Sequence, residues 1–141
     1  MSKVQEAEEI LRELQVPDKQ QNAMCCYVLL ALAGLSEDVP WKNAGNAWMR
    51  IHDMILFLRR CFGVQYAENS RETIRKQALH HFRNAAFIED NGRATNSPNY
   101  RYRLTEEMLT LLQCYGEPLW EEKIQTFLSA HESLVIQYAS R

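Results

Sequence analysis

The chain has no apolar run that approaches the length of a membrane span, and its charged N-terminus, MSKVQEAEEILREL, lacks the apolar centre of a signal peptide. Secretion and membrane insertion are not expected, and the compartment reads as the cytoplasm, where thiols stay reduced. The four cysteines lack the paired spacing of a zinc site. Cys25 and Cys26 are vicinal in an apolar helical run, and Cys61 and Cys114 fall at helical core spacings, so all four read as buried thiols. His80 and His81 have no cysteine nearby; they read as a surface histidine beside a packed one, and no metal is expected in this chain. Overall basic charge is also lacking. The formal net charge is -2, which by itself gives no case for a nucleic-acid partner.

What is present is a hydrophobic content of 46%, enough for a core and against wholesale disorder. A chain of 141 residues suits one domain spanning 1–141, burying roughly two-thirds of its extended surface. The charge is unevenly placed. Residues 1–70 hold seven basic and nine acidic side chains, residues 71–103 seven and three, and residues 104–141 two and six. The middle segment is therefore +4 and the last -4, and a local basic patch is what a docking surface on an acidic polymer needs.

Hydrophobic periodicity predicts helices over about 3–14, 19–33, 48–61 and 71–86. Pro17 stops the first, and Gly34 and Gly63 end the second and third. Residues 35–47 form a loop that Trp41 and Trp48 are expected to pin to the core. The fourth helix is expected to be capped by Asn69 or Ser70, with Ile74, Ala78, Leu79, Phe82, Ala85 and Ala86 inward. The period then changes. Phe87–Asp90 reads as a strand, Asn91-Gly92 as a turn and Tyr100–Leu104 as a returning strand. Thr105 caps a helix over 105–115 that Gly116 closes, and 118–139 is a last, longer helix with Pro118 near its start.

Helices, then a hairpin, then more helix predict a mainly α winged helix-turn-helix fold, with a two-stranded β-hairpin wing over about 87–104 and extra N- and C-terminal helices. In that arrangement the helix before the hairpin, here 71–84, enters the major groove of duplex DNA. Opposite its apolar stripe or along its flanks lie Arg71, Arg75, Lys76 and His80, with Thr73 and Gln77 near the edge. Arginine reads guanine bidentately, glutamine reads adenine, and a threonine methyl meets thymine. Arg75 and Gln77 are assigned to bases, and Arg71 and Lys76 to phosphates. The wing, NGRATNSPNYRYR, contributes Arg93, Thr95, Asn96, Ser97, Asn99 and Arg101. Alternation puts Tyr100, Tyr102 and Leu104 on one face and Arg101 and Arg103 on the other. The competing reading is a helical interaction or dimerisation module, with the long last helix as its contact surface.

The run from Arg71 to Gln77, followed by Thr95-Asn96-Ser97-Pro98 and Tyr102, resembles the N-terminal helix-turn-helix domain of the BsuBI/PstI type II restriction endonuclease family. Gln20-Gln21-Asn22, Trp41, Tyr115-Gly116 and Trp120-Glu121 extend the resemblance over about residues 10–141. It implies a prokaryotic restriction–modification protein with a short palindromic site in double-stranded DNA as partner; winged-helix domains often pair to match such palindromes, which makes a homodimer the expected assembly. It also implies a nuclease domain downstream, to which any Mg2+ requirement would belong. The acids of the last segment are spread along helices rather than converging as a metal-holding set, so no catalysis by these residues is expected. The wing departs from the family in length: only Asn91-Gly92-Arg93-Ala94 stand where members often carry a longer acidic insert.

Overall fold

A computed structural model describes residues 1–94 and 96–139. Helix α1 (Lys3–Glu13) begins with a capping box in which Ser2 Oγ accepts the Gln5 N–H and Gln5 Oε1 accepts the Ser2 N–H. It buries Ala7, Ile10 and Leu11 against α2 (Ala23–Ala33). Eight of the eleven α2 residues are buried, as expected of a helix that is apolar all round and lies at the centre of the core. Asn22 caps its start through the Cys25 N–H, and Gly34, at φ +70°, ends it. Cys25 and Cys26 are fully buried, whereas Cys61 and Cys114 are only partly so.

The turn after α1 places Gln15 at φ +62°, exposed to solvent. A side chain in this left-handed conformation costs roughly 1–2 kcal/mol, against a chain-entropy penalty of roughly 0.5–1 kcal/mol for glycine. Gln15→Gly is expected to raise stability by about 0.5–1 kcal/mol, read as a higher urea midpoint with an unchanged slope. A lower midpoint would refute that balance.

Trp41 pins the 35–47 loop as expected. It is buried, its indole N–H donates to Glu6, and the Lys3 ammonium lies over its ring. Trp48 does not: it is 39% exposed, and the Arg103 guanidinium stacks 4.2 Å from its ring centroid. Its neighbour Met49 exchanges backbone hydrogen bonds of 2.8 Å with Tyr102, adding a third rung-bearing segment to the wing that alternation alone did not signal.

Helix α3 (Ile51–Phe62) buries Ile51, Met54, Ile55 and Leu58 and ends at Gly63, at φ +67°. Helix α4 covers 71–84 and is not uniform. Arg71–Ile74 and His80–Asn84 are α-helical, but Arg75–Leu79 is a π turn in which the His80 N–H reaches the Arg75 carbonyl five residues back. Neither Asn69 nor Ser70 caps it. Both sit in a 3-10 turn, Glu68–Ser70, whose dihedrals run straight into the helix.

Strands β1 (Ile88–Asp90) and β2 (Tyr102–Leu104) pair antiparallel, Ile88 opposite Leu104 and Asp90 opposite Tyr102. They are shorter than expected at their ends, since Phe87 and Tyr100 lie outside the ladder. Thr105 caps α5 (Glu106–Leu112) through the Met108 N–H, and its buried hydroxyl donates to the Ala86 carbonyl at 2.9 Å. Helix α6 (Trp120–Ala139) starts two residues later than expected and buries Trp120, Ile124, Phe127, Leu134 and Tyr138. Its start is tied to α1, since Trp120 donates to Glu13 at 2.9 Å, and Tyr115, in the turn before it, donates to Glu9 at 3.1 Å. The fold is therefore mainly helical, with flanking helices and a small hairpin, a winged helix-turn-helix architecture.

Candidate nucleic-acid interface

The four-residue spacing of Ile74, Ala78 and Phe82 decides which side of α4 is wet. All three are buried, with Leu79, against the α2 side of the core. Arg71, Thr73, Lys76, Gln77 and His80 are left exposed, as the sequence predicts. His81 is exposed too, contrary to the expectation that it packs; its ring meets that of His80 edge-on at 5.7 Å, and His80 Nε2 pairs with the Asn84 amide at 3.2 Å. Among the described residues, Arg71 and Lys76 have no carboxylate within ion-pair distance.

Arg75 differs from them. It is half-buried, and its guanidinium donates to the Glu72 carboxylate one turn earlier. The hydrogen bond from Arg75, with its charge, holds the Glu72 carboxyl below its ordinary range. Arg75 also lies within electrostatic reach of Tyr100 and Tyr102. The middle of α4 therefore adjoins the base of the wing.

The wing is closed by side chains that mimic a ladder. Asn91 Nδ2 donates to the Asn99 carbonyl at 2.6 Å, and its Oδ1 accepts the Arg101 N–H at 3.2 Å. Gly92 turns the chain at φ +76°. Ser97 Oγ accepts the Asn99 N–H at 3.1 Å, so this hydroxyl shapes the turn as well as facing partly outward. Arg93, Asn96 and Asn99 are exposed. Thr95 lies outside the described residues. Arg101 folds back, donating to the Pro98 carbonyl at 2.9 Å, while its charge acts on Asp53 near the start of α3.

Two anchors escaped the sequence reading. Asp90 gathers the Gly92 N–H at 2.8 Å, Arg83 Nε at 3.0 Å and the Tyr100 hydroxyl at 3.3 Å, fastening the wing to the end of α4. Burial acts to raise the Asp90 carboxyl, but these three donors outweigh it and hold it below its ordinary range. Arg103 Nε donates to the buried Glu89 at 3.1 Å while its guanidinium covers Trp48. Opposite charges facing each other across a predicted hairpin, Glu89 beside Arg103, were the available signal.

A third unforeseen contact lies behind α4. The Cys25 thiol donates to the Gln77 carbonyl at 3.3 Å, within the π turn. Burial pushes this thiol up to about 11, so it remains protonated and able to donate at neutral pH. Among the described residues no three of His, Cys, Asp and Glu are gathered to hold a metal ion, and no helix is long and apolar enough to cross a membrane.

Comparison with known proteins agrees with this architecture. Residues 1–136 match the family described as the BsuBI/PstI restriction endonuclease HTH domain. The chain is 37% identical over 142 aligned residues to the type II restriction enzyme BsuBI of Bacillus subtilis, covering 98% of this chain and 45% of that enzyme. It is 27% identical over 139 residues to the type II restriction enzyme AplI of Arthrospira platensis, covering 96% and 43%. The solved structure of the SdaI restriction endonuclease superposes with a TM-score of 0.83 at 26% identity, over 95% of this chain and 43% of that one. The chain thus spans less than half the length of each of these relatives. With the sequence match running through helices, wing and closing helices alike, this chain belongs to the BsuBI/PstI restriction endonuclease HTH domain family.

Proposed function

We propose that this chain binds duplex DNA sequence-specifically, as the target-recognition part of a type II restriction endonuclease whose nuclease chemistry lies outside these residues. The observation that carries the reading is the wet face of α4: Arg71, Thr73, Lys76 and Gln77 are exposed, on the helix that precedes the wing in a family named for restriction endonucleases. A recognition helix in the major groove reads base edges from such a face. Arg71 and Lys76 engage phosphates, Gln77 and Arg75 engage bases, and His80 continues the line. Arg93, Asn96, Ser97 and Asn99 meet the backbone or the narrow groove beside it, with Arg101 at the edge of that contact; Thr95 is assigned to DNA on the sequence motif alone. A two-fold pair of chains on a short palindrome fits the symmetry that such modules use. Any Mg2+ belongs to the nuclease part.

The test is fluorescence anisotropy of the chain against short duplexes at several salt concentrations. Four or five phosphate contacts give a slope of log affinity against log salt of roughly -4. Arg93→Ala is expected to weaken all duplexes alike and to shallow that slope by about one, whereas Gln77→Ala relaxes preference at one base pair. The interaction-module reading predicts instead no duplex binding even at low salt, and that result would remove DNA recognition from this chain.

A further inference from the structure

We propose that the π turn at Arg75–Leu79, held by the Cys25 thiol, is a specificity-determining device: it keeps Thr73 and Gln77, and beside them Lys76 and His80, lined up along the groove. The inference rests on the DNA-recognition reading and names what sets its precision.

The buried residues Ile74, Ala78 and Phe82 recur every four positions, and so do the exposed pairs Thr73, Gln77 and Lys76, His80, which His81 and the half-buried Asn84 continue. An α-helix turns about 100° per residue, so two steps of four overshoot two full turns by about 80°. A uniform helix would wind both stripes around its axis. Taking up one extra residue in a wider turn reduces the drift to about 20°, and both stripes then run nearly parallel to the axis. The buried stripe stays on the core, and the wet stripe stays straight over about two turns.

A π turn has a cost that must be met locally. It makes its hydrogen bond from the His80 N–H to the Arg75 carbonyl and interrupts the regular four-back ladder. The Gln77 carbonyl, inside the interruption, faces α2 and accepts the Cys25 thiol. Cys25 is fully buried, so the contact is made away from solvent, and losing the thiol removes one hydrogen bond from the interrupted turn. On this proposal the thiol, by bonding a carbonyl inside the wider turn, favours that turn over a regular one. Cys25 touches no DNA. It is a positioning residue that acts through the backbone of Gln77, whose side chain is on the opposite, wet face.

The experiment uses the whole chain and two probes: a duplex enriched by the wild type from a randomised pool, and a shuffled duplex of the same composition. Cys25→Ala is expected to lower the ratio of the two affinities three- to tenfold, the scale of one hydrogen bond, with binding to the shuffled duplex and its salt slope unchanged. Cys25→Ser restores the donor and is expected to recover most of the ratio. Cys25→Val fills the space without a donor and replaces alanine if the cavity unfolds the chain. An unchanged ratio in the donor-free variant, or an equal loss on both duplexes, overturns the proposal. Scalar coupling across hydrogen bonds in the free wild type gives an independent check. His80 N must couple to the Arg75 carbonyl carbon, and coupling to that of Lys76 instead overturns the π turn itself. If the wild type enriches no duplex, the DNA reading falls and takes this inference with it. If it enriches one and the ratio does not move, only this inference falls.

Discussion

Replacing Arg71, Arg75 and Lys76 together with alanine is expected to abolish selective duplex binding while leaving the fold intact. Each of the three side chains is exposed or half-exposed, and none contributes to the buried cluster that holds α4 to α2. Exposed substitutions of this kind change stability by about 0.5 kcal/mol or less apiece, and the Arg75–Glu72 pair, being on the surface, adds little. The loss on DNA is much larger. One good bidentate base contact supplies roughly 1–3 kcal/mol of discrimination, and each phosphate contact adds about 0.9 to the salt slope. Together they amount to at least about a hundredfold in affinity at moderate salt. The measurement pairs anisotropy titrations with a thermal melt followed by circular dichroism. Selective binding at wild-type strength in the triple variant would move the interface off this helix. The single variants divide the labour: Lys76→Ala shallows the salt slope, while Arg75→Ala relaxes sequence preference. Glu72 makes that second outcome informative, because an arginine held by a carboxylate one turn away is pre-oriented rather than free.

The order of elements was legible in the sequence because each stop carries its own chemistry. Gly34 and Gly63 supply left-handed C-caps, Thr105 supplies an N-cap, and Asn91-Gly92 marks where the first strand turns away. The exposed side of α4 was legible for the same reason, since a buried stripe defines its opposite. What was hidden depended on partners far along the chain. Nothing near Trp48 says that Arg103 will stack on it, and nothing near Cys25 says that its thiol will donate to Gln77. The π turn had a local signal, the strict four-residue recurrence of Ile74, Ala78 and Phe82, but that pattern also fits the ordinary latitude of a helix stripe. The cap expected at Asn69 or Ser70 failed because the preceding 3-10 turn already brings the backbone in at helical dihedrals, leaving no extended residue whose side chain can fold back. Glycine and threonine punctuation is read along the chain, whereas packing across it is not.

Asp90→Ala is expected to cost roughly 2 kcal/mol of stability and to weaken binding to every duplex, although it removes a negative charge from the wing. The carboxylate joins three donors: the Gly92 N–H, Arg83 of α4 and the hydroxyl of Tyr100. Hydrogen bonds to a charged group are worth roughly 1.5–3 kcal/mol, and the side chain is largely shielded from solvent, so the estimate stands near the middle of that range. Asp90→Asn retains an acceptor for Gly92 and is expected to lose less. The acid limb checks the same contact. The native carboxyl lies below its ordinary value, so its contribution is complete above the unfolded pKa of about 3.9 and disappears as pH falls through the lower native value. The stability gap between wild type and Asp90→Asn should therefore be flat from about pH 8 to pH 5 and close only below about pH 4. A gap that closes near neutrality would assign it to another group. The sign of the DNA effect is decisive for the wing. Electrostatics alone predicts tighter binding when Asp90 is neutralised, because a like charge near phosphate is removed. Weaker binding means that the fixed position of Arg93, Asn96 and Asn99 outweighs that gain, and that the three donors on Asp90 hold the wing where DNA meets it. Tighter binding would mean that the wing needs no anchor and that α4 carries the recognition alone.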